Sequence, residues 1–427
     1  MNSYIIKGGR VIDPANKIDE RLDILIQDGL IEKLSTNIES DLPVIDASGK
    51  IVVPGFIEIH AHFREPGFTH KEDLQTGAKS ALKGGYTTVC VMPNTNPVID
   101  STYLVEYLKL KAKKNDLAKV EIISAVSKNL KGKELANLMS LKEKGAVAFS
   151  DDGMPIMDAN LMKNALSYIK NFNTPIVLHE EDHNLSKPGV VNEGIISSKF
   201  GLAGTPSSSE EVMIARDIIL AQKENVHIHI AHVSSKTSVD LVRDARKKGI
   251  NVTCEVTPHH LLLNENEFIN RPYDTNLKMS PPLRTKEDML ACQQGLLDGT
   301  IQAIATDHAP HAISEKEQNF GDAPNGIIGL ETAFPALYTE LVKTGIMELA
   351  SLIEKLTCSP ASVFDLNRGT LAVGSKADIT IIDLEKEFTY SADSIVSKSK
   401  NSPWIDEKFH GEIKYTIVDG KIKYEVK

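Results

Sequence analysis

The chain has 427 residues, of which 41% are hydrophobic and 25% charged, with a formal net charge of −10 at pH 7. This composition is typical of a globular protein long enough for one large domain and a smaller one, and no apolar run approaches the length of a membrane span. The acidic balance argues against nucleic-acid binding, and four separated cysteines without a C-x-x-C pair are typical of reduced thiols in a cytoplasmic protein.

Short β-like runs occupy the N-terminal region, at Ser3–Lys7, Leu22–Gln27 and Leu30–Leu34. Gly8-Gly9 and Asp28-Gly29 are predicted turns, and Asp28-Gly29 between two alternating runs is a strong hairpin signal. We therefore expect residues 1–54 to form the N-terminal part of a small β domain.

After residue 54, short apolar runs alternate with amphipathic segments. The apolar runs predict eight strands, at Phe56–His62, Thr87–Met92, Val120–Ala125, Ala146–Ser150, Pro175–His179, His227–His232, Ile250–Cys254 and Gln302–Asp307. The amphipathic segments predict helices, among them Tyr103–Lys113, Ala159–Lys170, Ser208–Lys223, Ser238–Lys248 and Lys286–Leu297. This alternation predicts an α/β fold, a parallel (β/α)₈ TIM-type barrel over residues 55–365. A doubly wound open sheet is the alternative, but no G-x-G-x-x-G follows a strand.

The β pattern returns in residues 366–427, at Ala377–Asp383, Ile413–Val418 and Lys421–Glu425. Because this pattern is similar to that of the N-terminal region, we expect both termini to form one small composite β domain. The unpatterned stretch Ala309–Gly326 is too long for an ordinary loop in a compact domain and is a lid candidate.

The first barrel strand and its continuation read F-I-E-I-H-A-H-F-R-E-P-G at residues 56–67. Successive side chains of a strand point to opposite faces, so we expect His60, His62 and Arg64 on the same side. Two imidazoles beside a guanidinium suit a metal site that carries a clamp for a substrate anion.

Catalytic residues of such barrels lie at the C-terminal ends of the strands. The metal-binding residue types found there are His60, His62, Asp151-Asp152, His179, His232 and Asp307. A single histidine at a strand end is more often structural, and Asp-Asp-Gly is usually a turn. Their joint occurrence at five strands favours a metal centre, because histidine and carboxylate are ligands that Zn²⁺ takes.

Six ligands suit two ions better than one, because a single catalytic Zn²⁺ takes three protein ligands plus water. With Asp152 as the bridge, one ion would be bound by His60, His62 and Asp307, and the other by His179 and His232. The two ions would share a hydroxide whose parent water has a pKa lowered towards about 7. Asp307 could take the proton of that hydroxide during attack and return it to a leaving nitrogen.

With these residues in place, the chain resembles the amidohydrolase superfamily and, within it, the dihydroorotase family of the bacterial class I type. The most specific motifs are H-A-H-F-R-E-P-G at 60–67, M-P-N-T-N-P at 92–97, F-S-D-D-G at 149–153 and T-D-H-A-P-H at 306–311. The family's metal ligands match the six residues above. The resemblance selects Asp152 over Asp151 as the bridge, because the family's bridging aspartate directly precedes the glycine.

The resemblance implies a zinc-dependent interconversion of dihydroorotate and N-carbamoyl-L-aspartate in pyrimidine biosynthesis. It implies substrate contacts from His62, Arg64, Asn94, Ser280, His311, Asn325 and Gly326. Among these, Arg64 and Asn94 would hold the ring carboxylate, and His311 would reach the substrate from the mobile loop. The resemblance also implies a homodimer and raises an association with aspartate transcarbamoylase.

The sequence departs from the family pattern at three positions. Ser280 stands where the family usually has an asparagine that contacts the substrate, and Asn325 replaces a residue that is usually apolar. Glu58 stands where many members carry Asp, and we expect it to point into the lower barrel and contribute to packing. The fourth strand also lacks the carboxylated lysine with which many relatives bridge two metals, the nearest lysine being Lys144. A direct Asp bridge holds a second ion less firmly, so occupancy by one metal is the alternative.

Two other functions compete with this prediction. A dihydropyrimidinase or allantoinase would share the barrel, but those relatives rely on the bridging lysine and lack the arginine clamp. A catalytically silent subunit that partners aspartate transcarbamoylase is the second alternative, and the presence of all six ligands argues against it.

Overall fold

The structure, a computed structural model, describes residues 3–172 and 174–426. Its strands are β1 (Ser3–Asp13), β2 (Ile18–Gln27), β3 (Leu30–Ser35), β4 (Val44–Asp46), β5 (Ile51–Pro54), β6 (Phe56–Ala61), β7 (Tyr86–Val91), β8 (Lys119–Ser124), β9 (Ala146–Ser150), β10 (Ile176–Leu178), β11 (Val191–Asn192), β12 (Gly204–Thr205), β13 (Ile228–Ile230), β14 (Val252–Val256), β15 (Ala303–Ile304), β16 (Ile379–Thr389), β17 (Lys408–Val418) and β18 (Lys421–Glu425).

The α-helices lie mainly between the strands of the central region. They are α1 (Leu74–Lys83), α2 (Thr102–Asn115), α3 (Leu138–Glu143), α4 (Ala159–Ile169), α5 (His183–Ser186), α6 (Ile195–Phe200), α7 (Ser208–Glu224), α8 (Lys236–Lys247), α9 (Pro258–Leu262), α10 (Glu267–Asn270), α11 (Lys286–Leu297), α12 (Ile313–Lys316), α13 (Ala333–Leu337), α14 (Leu349–Leu356) and α15 (Cys358–Val363). None of the described helices has the length and apolar character that a membrane span requires.

Eight parallel strands form the central sheet, in the order β6-β7-β8-β9-β10-β13-β14-β15. The sheet curls on itself, and its first and last strands meet where the N–H of His62 donates to the carbonyl of His308 at 2.8 Å. All eight predicted barrel strands are present, and helices alternate with them along the chain. The predicted (β/α)₈ barrel is therefore confirmed.

Glu58 also connects the two ends of the sheet. Its carboxylate accepts hydrogen bonds from the backbone N–H groups of His60, at 2.7 Å, and of Thr306, at 2.9 Å. Glu58 is fully buried, and burial raises its pKa to about 8. Only the hydrogen bond from Thr306 crosses the closing seam, because His60 lies on the same strand as Glu58. The packing role expected from the sequence stays a prediction.

Both chain termini contribute to a separate sheet, in the order β18-β17-β16-β5-β1-β2-β3, with β4 paired to β1. The Asp28-Gly29 hairpin turn is confirmed, since both residues have positive φ, 49° and 79°. The predicted turn at Gly8-Gly9 is wrong. Strand β1 continues through these glycines with a register shift between Ile6 and Gly9, because the positive φ of Gly8 accommodates a bulge as readily as a turn. The domain limits at residues 54 and 366 stay predictions.

The 309–326 loop contains the short helix α12 and is held at several points. The side-chain amide of Asn401 donates to the carbonyls of Ala309, at 2.9 Å, and Gly326, at 3.1 Å. The ammonium of Lys316 donates to the carbonyls of Pro324 and Gly326, both at 3.0 Å. Buried polar groups thus fix the path of this loop beside the mouth of the barrel.

Candidate active site

The C-terminal ends of the barrel strands surround a cleft of about 310 Å³. Its lining includes most of the residues predicted for the site, namely His62, Arg64, Asn94, Asp152, His179, His232, Ser280, Asp307, His311, Asn325 and Gly326. His60 is fully buried beneath them. Residues from six strand ends and from the 309–326 loop therefore meet in one place, as parallel strands of a closed barrel require.

Two histidines of the first strand face two carboxylates. His62 Nε2 lies 2.9 Å from Asp307 Oδ1 and 3.6 Å from Asp152 Oδ2. His60 Nε2 lies 3.4 Å from Asp152 Oδ1 and 3.6 Å from Asp307 Oδ1. Although burial acts to raise it, the imidazoles hold the pKa of Asp152 well below its usual range. The centre therefore has two ionised carboxylates with imidazole nitrogens directed at them.

Two further histidines approach Asp152 from strands β10 and β13. His179 Nδ1 lies 3.6 Å from Asp152 Oδ1, and His232 Nε2 lies 3.9 Å from the same oxygen. The two ring nitrogens are 3.0 Å apart. Asp152 thus lies between the His60–His62 pair and the His179–His232 pair, which is the position that a bridging carboxylate needs.

For three of these histidines, the nitrogen that points away from the centre has an acceptor. His60 Nδ1 lies 2.6 Å from Glu255 Oε1, His62 Nδ1 lies 2.9 Å from Asn94 Oδ1, and His179 Nε2 lies 3.1 Å from Glu181 Oε2. Because these oxygens accept, the outward nitrogen carries a proton, and the inward nitrogen is the one that a metal could bind. Such partners orient metal-binding histidines in proteins.

The inward nitrogens suit a cation. His60 Nε2 is buried and has no hydrogen-bond partner among the residues that the structure describes. Donor atoms of His60, His62 and Asp307 lie within 4.8 Å of one another, and so do those of His60, Asp152 and His232. Two donors about 2.1 Å from one tetrahedral ion are separated by about 3.4 Å, close to the spacing seen here. These residues could therefore hold a metal.

The side chains of the two adjacent aspartates after β9 lie in different environments. Asp151 Oδ1 accepts from the backbone N–H groups of Val126, at 2.8 Å, and Ser127, at 2.9 Å, and the Ser127 hydroxyl donates to Oδ2. Burial raises the pKa of Asp151 to about 6. Asp151 therefore fixes the loop after β8, while Asp152 faces the cleft.

Lys144, the lysine nearest to β9 in the sequence, lies away from the cleft. Its ammonium contacts Glu106 at 2.6 Å, and its side chain is 45% exposed. It is therefore not a metal-bridging group in this fold.

A cationic side of the cleft is formed by Arg64, with His311 beside it. Arg64 Nη2 lies 3.2 Å from His311 Nε2, and Arg64 Nε donates to the carbonyl of Pro310 at 3.1 Å. Burial lowers the pKa of Arg64 to about 10, so it remains charged at neutral pH. Burial, with Arg64 and Lys71 nearby, lowers the pKa of His311 to about 2, so the imidazole is neutral.

The remaining predicted substrate contacts lie around the same cleft. Asn94 Nδ2 donates to Asp152 Oδ2 at 3.1 Å, so its amide joins His62 to Asp152 in this conformation. Ser280 Oγ donates to Glu181 Oε2 at 3.3 Å. Asn325 directs its carbonyl to His311 Nε2 at 2.8 Å, and the next residue, Gly326, has a φ of 121°.

Sequence reasoning missed two carboxylates that contact the histidines. Glu181 follows His179 by two residues, and this acidic group directly after a strand-end histidine was the available signal. Glu255 lies within β14, where a single acidic residue in an otherwise uncharged buried strand was the signal. It also lies 3.1 Å from His229, so a buried chain of polar groups extends from His60 into the barrel.

Solved structures with this architecture are close in shape. The chain is 26% identical to L-hydantoinase (dihydropyrimidinase) from Arthrobacter aurescens, with a TM-score of 0.89 over 100% of this chain and 96% of that chain. For D-hydantoinase (dihydropyrimidinase) from Thermus sp., the identity is 25% and the TM-score 0.86, over 99% and 96% of the two chains. Fold and site together define a cyclic amidohydrolase built on a (β/α)₈ barrel.

Relatives identified by sequence define the family more narrowly than the solved structures do. Residues 49–238 match a family model described as Dihydro-orotase-like. The dihydroorotase of Geotalea daltonii is 47% identical over 100% of both chains, and that of Caldanaerobacter subterraneus is 47% identical over 99% of this chain and 97% of its own. The chain belongs to the dihydroorotase family.

Proposed function

We propose that this protein interconverts (S)-dihydroorotate and N-carbamoyl-L-aspartate, the reversible ring opening of a cyclic amide that carries a carboxylate. The observation that carries the proposal is the convergence of Arg64 Nη2 and His311 Nε2, 3.2 Å apart, in the same cleft as Asp152 and Asp307. A cyclic amidohydrolase whose substrate is uncharged has no need of two nitrogen donors converging there. The 43–47% identity to eight dihydroorotases supports the same substrate.

We further propose that the centre binds two Zn²⁺ ions, with occupancy by one ion as the alternative. His60, His62 and Asp307 would hold one ion, His179 and His232 the other, and Asp152 would bridge them. Bound there, the ions would supply a water of lowered pKa and polarise the amide carbonyl. Supporting this, imidazole and carboxylate are the ligands that zinc takes, and His60 Nε2 is left without a hydrogen-bond partner within the described part of the chain.

Asp307 is proposed as the general base and acid. Its Oδ1 lies 2.9 Å from His62 Nε2, at the centre of the cleft, where an attacking water would also lie. The carboxylate would take the proton of that water and deliver it to the ring nitrogen that leaves. The imidazole groups lower its pKa although burial acts against them, so it is ionised at neutral pH.

Arg64, His311 and Asn94 are proposed to orient the substrate. The planar guanidinium of Arg64 can form two charge-assisted hydrogen bonds with a carboxylate, and neutral His311 can add a third from Nε2. Held at its carboxylate, the ring presents its amide to the carboxylate side of the cleft. Ser280, Asn325 and Gly326 would complete the lining.

A substrate panel tests the proposal. Steady-state rates are measured on metal-loaded protein with dihydroorotate, N-carbamoyl-L-aspartate, dihydrouracil and hydantoin. We expect turnover of the first two and at least a hundredfold lower kcat/KM for the uncharged rings, since they leave the buried cation without a partner. Turnover of the uncharged rings without turnover of dihydroorotate would establish a dihydropyrimidinase instead.

Assembly and location are separate proposals. We propose a homodimer acting in the cytoplasm, and an association with aspartate transcarbamoylase is a further hypothesis. Sedimentation of the protein alone and of a mixture with that enzyme tests both the dimer and the association.

A further inference from the structure

Lys71 lies behind the cationic side of the cleft and connects two elements of it. Its ammonium contacts the carboxylate of Glu315 on α12 at 2.8 Å and lies 3.4 Å from His311 Nδ1. The Lys71 side chain is 15% exposed, and the His311 side chain is 7% exposed. Lys71 does not belong to the cleft lining, so it would act on a substrate only through its neighbours.

The contacts of His311 define its tautomer. Nε2 lies 2.8 Å from the carbonyl of Asn325, which can only accept, and 3.2 Å from Arg64 Nη2, which can only donate. These two contacts favour opposite tautomers, and the shorter one, to Asn325, places the proton on Nε2. The neutral ring then has its lone pair on Nδ1, where the Lys71 ammonium can donate. In this state Nε2–H points to the same region as the Arg64 guanidinium, and the two can share an anion that displaces the Asn325 carbonyl.

Glu315 is the group that opposes this arrangement. Its Oε2 lies 3.7 Å from His311 Nδ1. Without Lys71, this carboxylate would have no ammonium partner at 2.8 Å and would attract a proton to Nδ1. The neutral ring would then carry its lone pair on Nε2 and would repel a carboxylate in the cleft.

We propose that Lys71 is a positioning residue that holds His311 in its Nε2–H tautomer by donating to Nδ1 and by pairing with Glu315. The expected consequence, weaker binding of a substrate carboxylate when Lys71 is replaced, rests on the proposed function. The tautomer itself is a property of the free protein, so it can be measured whatever the substrate is.

The test combines NMR spectroscopy and kinetics on the metal-loaded full chain. The imidazole ¹⁵N shifts of His311 are recorded at pH 8 in ¹⁵N-histidine-labelled protein and assigned by their loss in His311→Gln. We expect the Nε2–H tautomer in wild type, the Nδ1–H tautomer in Lys71→Met, and the Nε2–H tautomer again in Lys71→Met/Glu315→Gln. The double variant also lacks the Lys71–Glu315 ion pair. Its return to the Nε2–H tautomer would therefore show that loss of this pair alone does not change the tautomer in Lys71→Met.

Kinetics supplies the second readout. In Lys71→Met, we expect the KM for dihydroorotate to rise about tenfold with kcat within about twofold, the size of one lost hydrogen bond to a charged group. Lys71→Arg should restore most of the affinity, and Lys144→Met, at an exposed ion pair, should match wild type.

An Nδ1 that stays unprotonated in Lys71→Met would overturn the inference, and so would a KM within twofold of wild type. A wild-type protein that does not turn over dihydroorotate would overturn the proposed function instead, and the tautomer measurement would still decide the role of Lys71.

Discussion

His60 Nδ1 lies 2.6 Å from the Glu255 carboxylate, on the side of the imidazole away from the metal-binding centre. Both residues are fully buried, and Glu255 also lies 3.1 Å from His229 Nε2. Although burial acts to raise it, His60 and His229 lower the pKa of Glu255 to about 2. An ionised Glu255 therefore holds a proton on His60 Nδ1, so Nε2 is the nitrogen that a metal could bind.

Replacement of Glu255 tests this relationship. In Glu255→Gln, the amide can present either its oxygen or its nitrogen to His60, so the tautomer is no longer fixed. We expect the affinity for the metal to fall by about 10- to 100-fold. Competition with a chromogenic chelator measures this affinity directly. Asp23→Asn, a buried carboxylate of the small domain that accepts from Gly8 and Ile38, is the control and should keep its metal.

Asp307→Asn should abolish turnover without unfolding the protein. The amide cannot take a proton from the attacking water, and general acid–base catalysis contributes about 10²- to 10⁴-fold. Loss of kcat by at least that factor, with an unchanged melting temperature and circular dichroism spectrum, is the expected result. Metal analysis of the same sample separates lost catalysis from a lost ligand. A variant with wild-type kcat would remove Asp307 from the mechanism.

Arg64→Met should weaken binding of the carboxylated substrate more than it slows the chemical step. A hydrogen bond to a charged group contributes about 1.5–3 kcal/mol, so the KM for dihydroorotate should rise about 10- to 150-fold. Steady-state kinetics in both directions measures the change. An unchanged KM would mean that the carboxylate binds elsewhere. Arg271→Met, at a half-exposed ion pair with Glu267, is a matched control.

Lys316 should make stability depend on pH above neutrality. Burial lowers the pKa of this lysine from 10.5 to about 7, and it donates to two carbonyls of the 309–326 loop. Below about pH 7, both folded and unfolded chains are protonated here, and the cost of burying the charge is fully present. Between about pH 7 and 10.5, the unfolded chain binds more protons, so the free energy of unfolding rises with pH.

The comparison of wild type with Lys316→Met isolates this effect. The free energy of unfolding of wild type minus that of the variant should increase by a few kcal/mol at most, on the order of 1.4 kcal/mol per pH unit, as the pH rises from 7 to 10. Urea titrations at several pH values measure the difference. A difference that stays constant with pH would show that Lys316 keeps its ordinary pKa. The exposed Lys163→Met provides the control.

The sequence was sufficient to predict the barrel because short apolar runs alternate regularly with amphipathic segments, and parallel strands then direct their ends to one mouth. The same reasoning predicted that His60, His179 and Asp307 lie close together. It failed at Gly8-Gly9, because two glycines permit a bulge as readily as a turn.

The sequence pattern could not predict contacts that depend on the folded path of a loop. Lys71 and Glu315 are distant in the sequence, and only the path of the 309–326 loop brings them to 2.8 Å. Glu255 lies inside a strand, away from every recognised motif, and its role depends on which face of β14 points to His60. The sequence pattern therefore predicts the residues of the centre better than the groups that orient them.

The most direct test of the whole account is the metal dependence of dihydroorotate turnover. The protein is stripped with a chelator, its metal content is measured, and activity is followed as Zn²⁺ is added back. We expect no turnover without metal, and activity that returns in proportion to bound zinc up to two ions per chain. Full turnover of dihydroorotate by the stripped protein, or none by the zinc-loaded protein, would contradict the account.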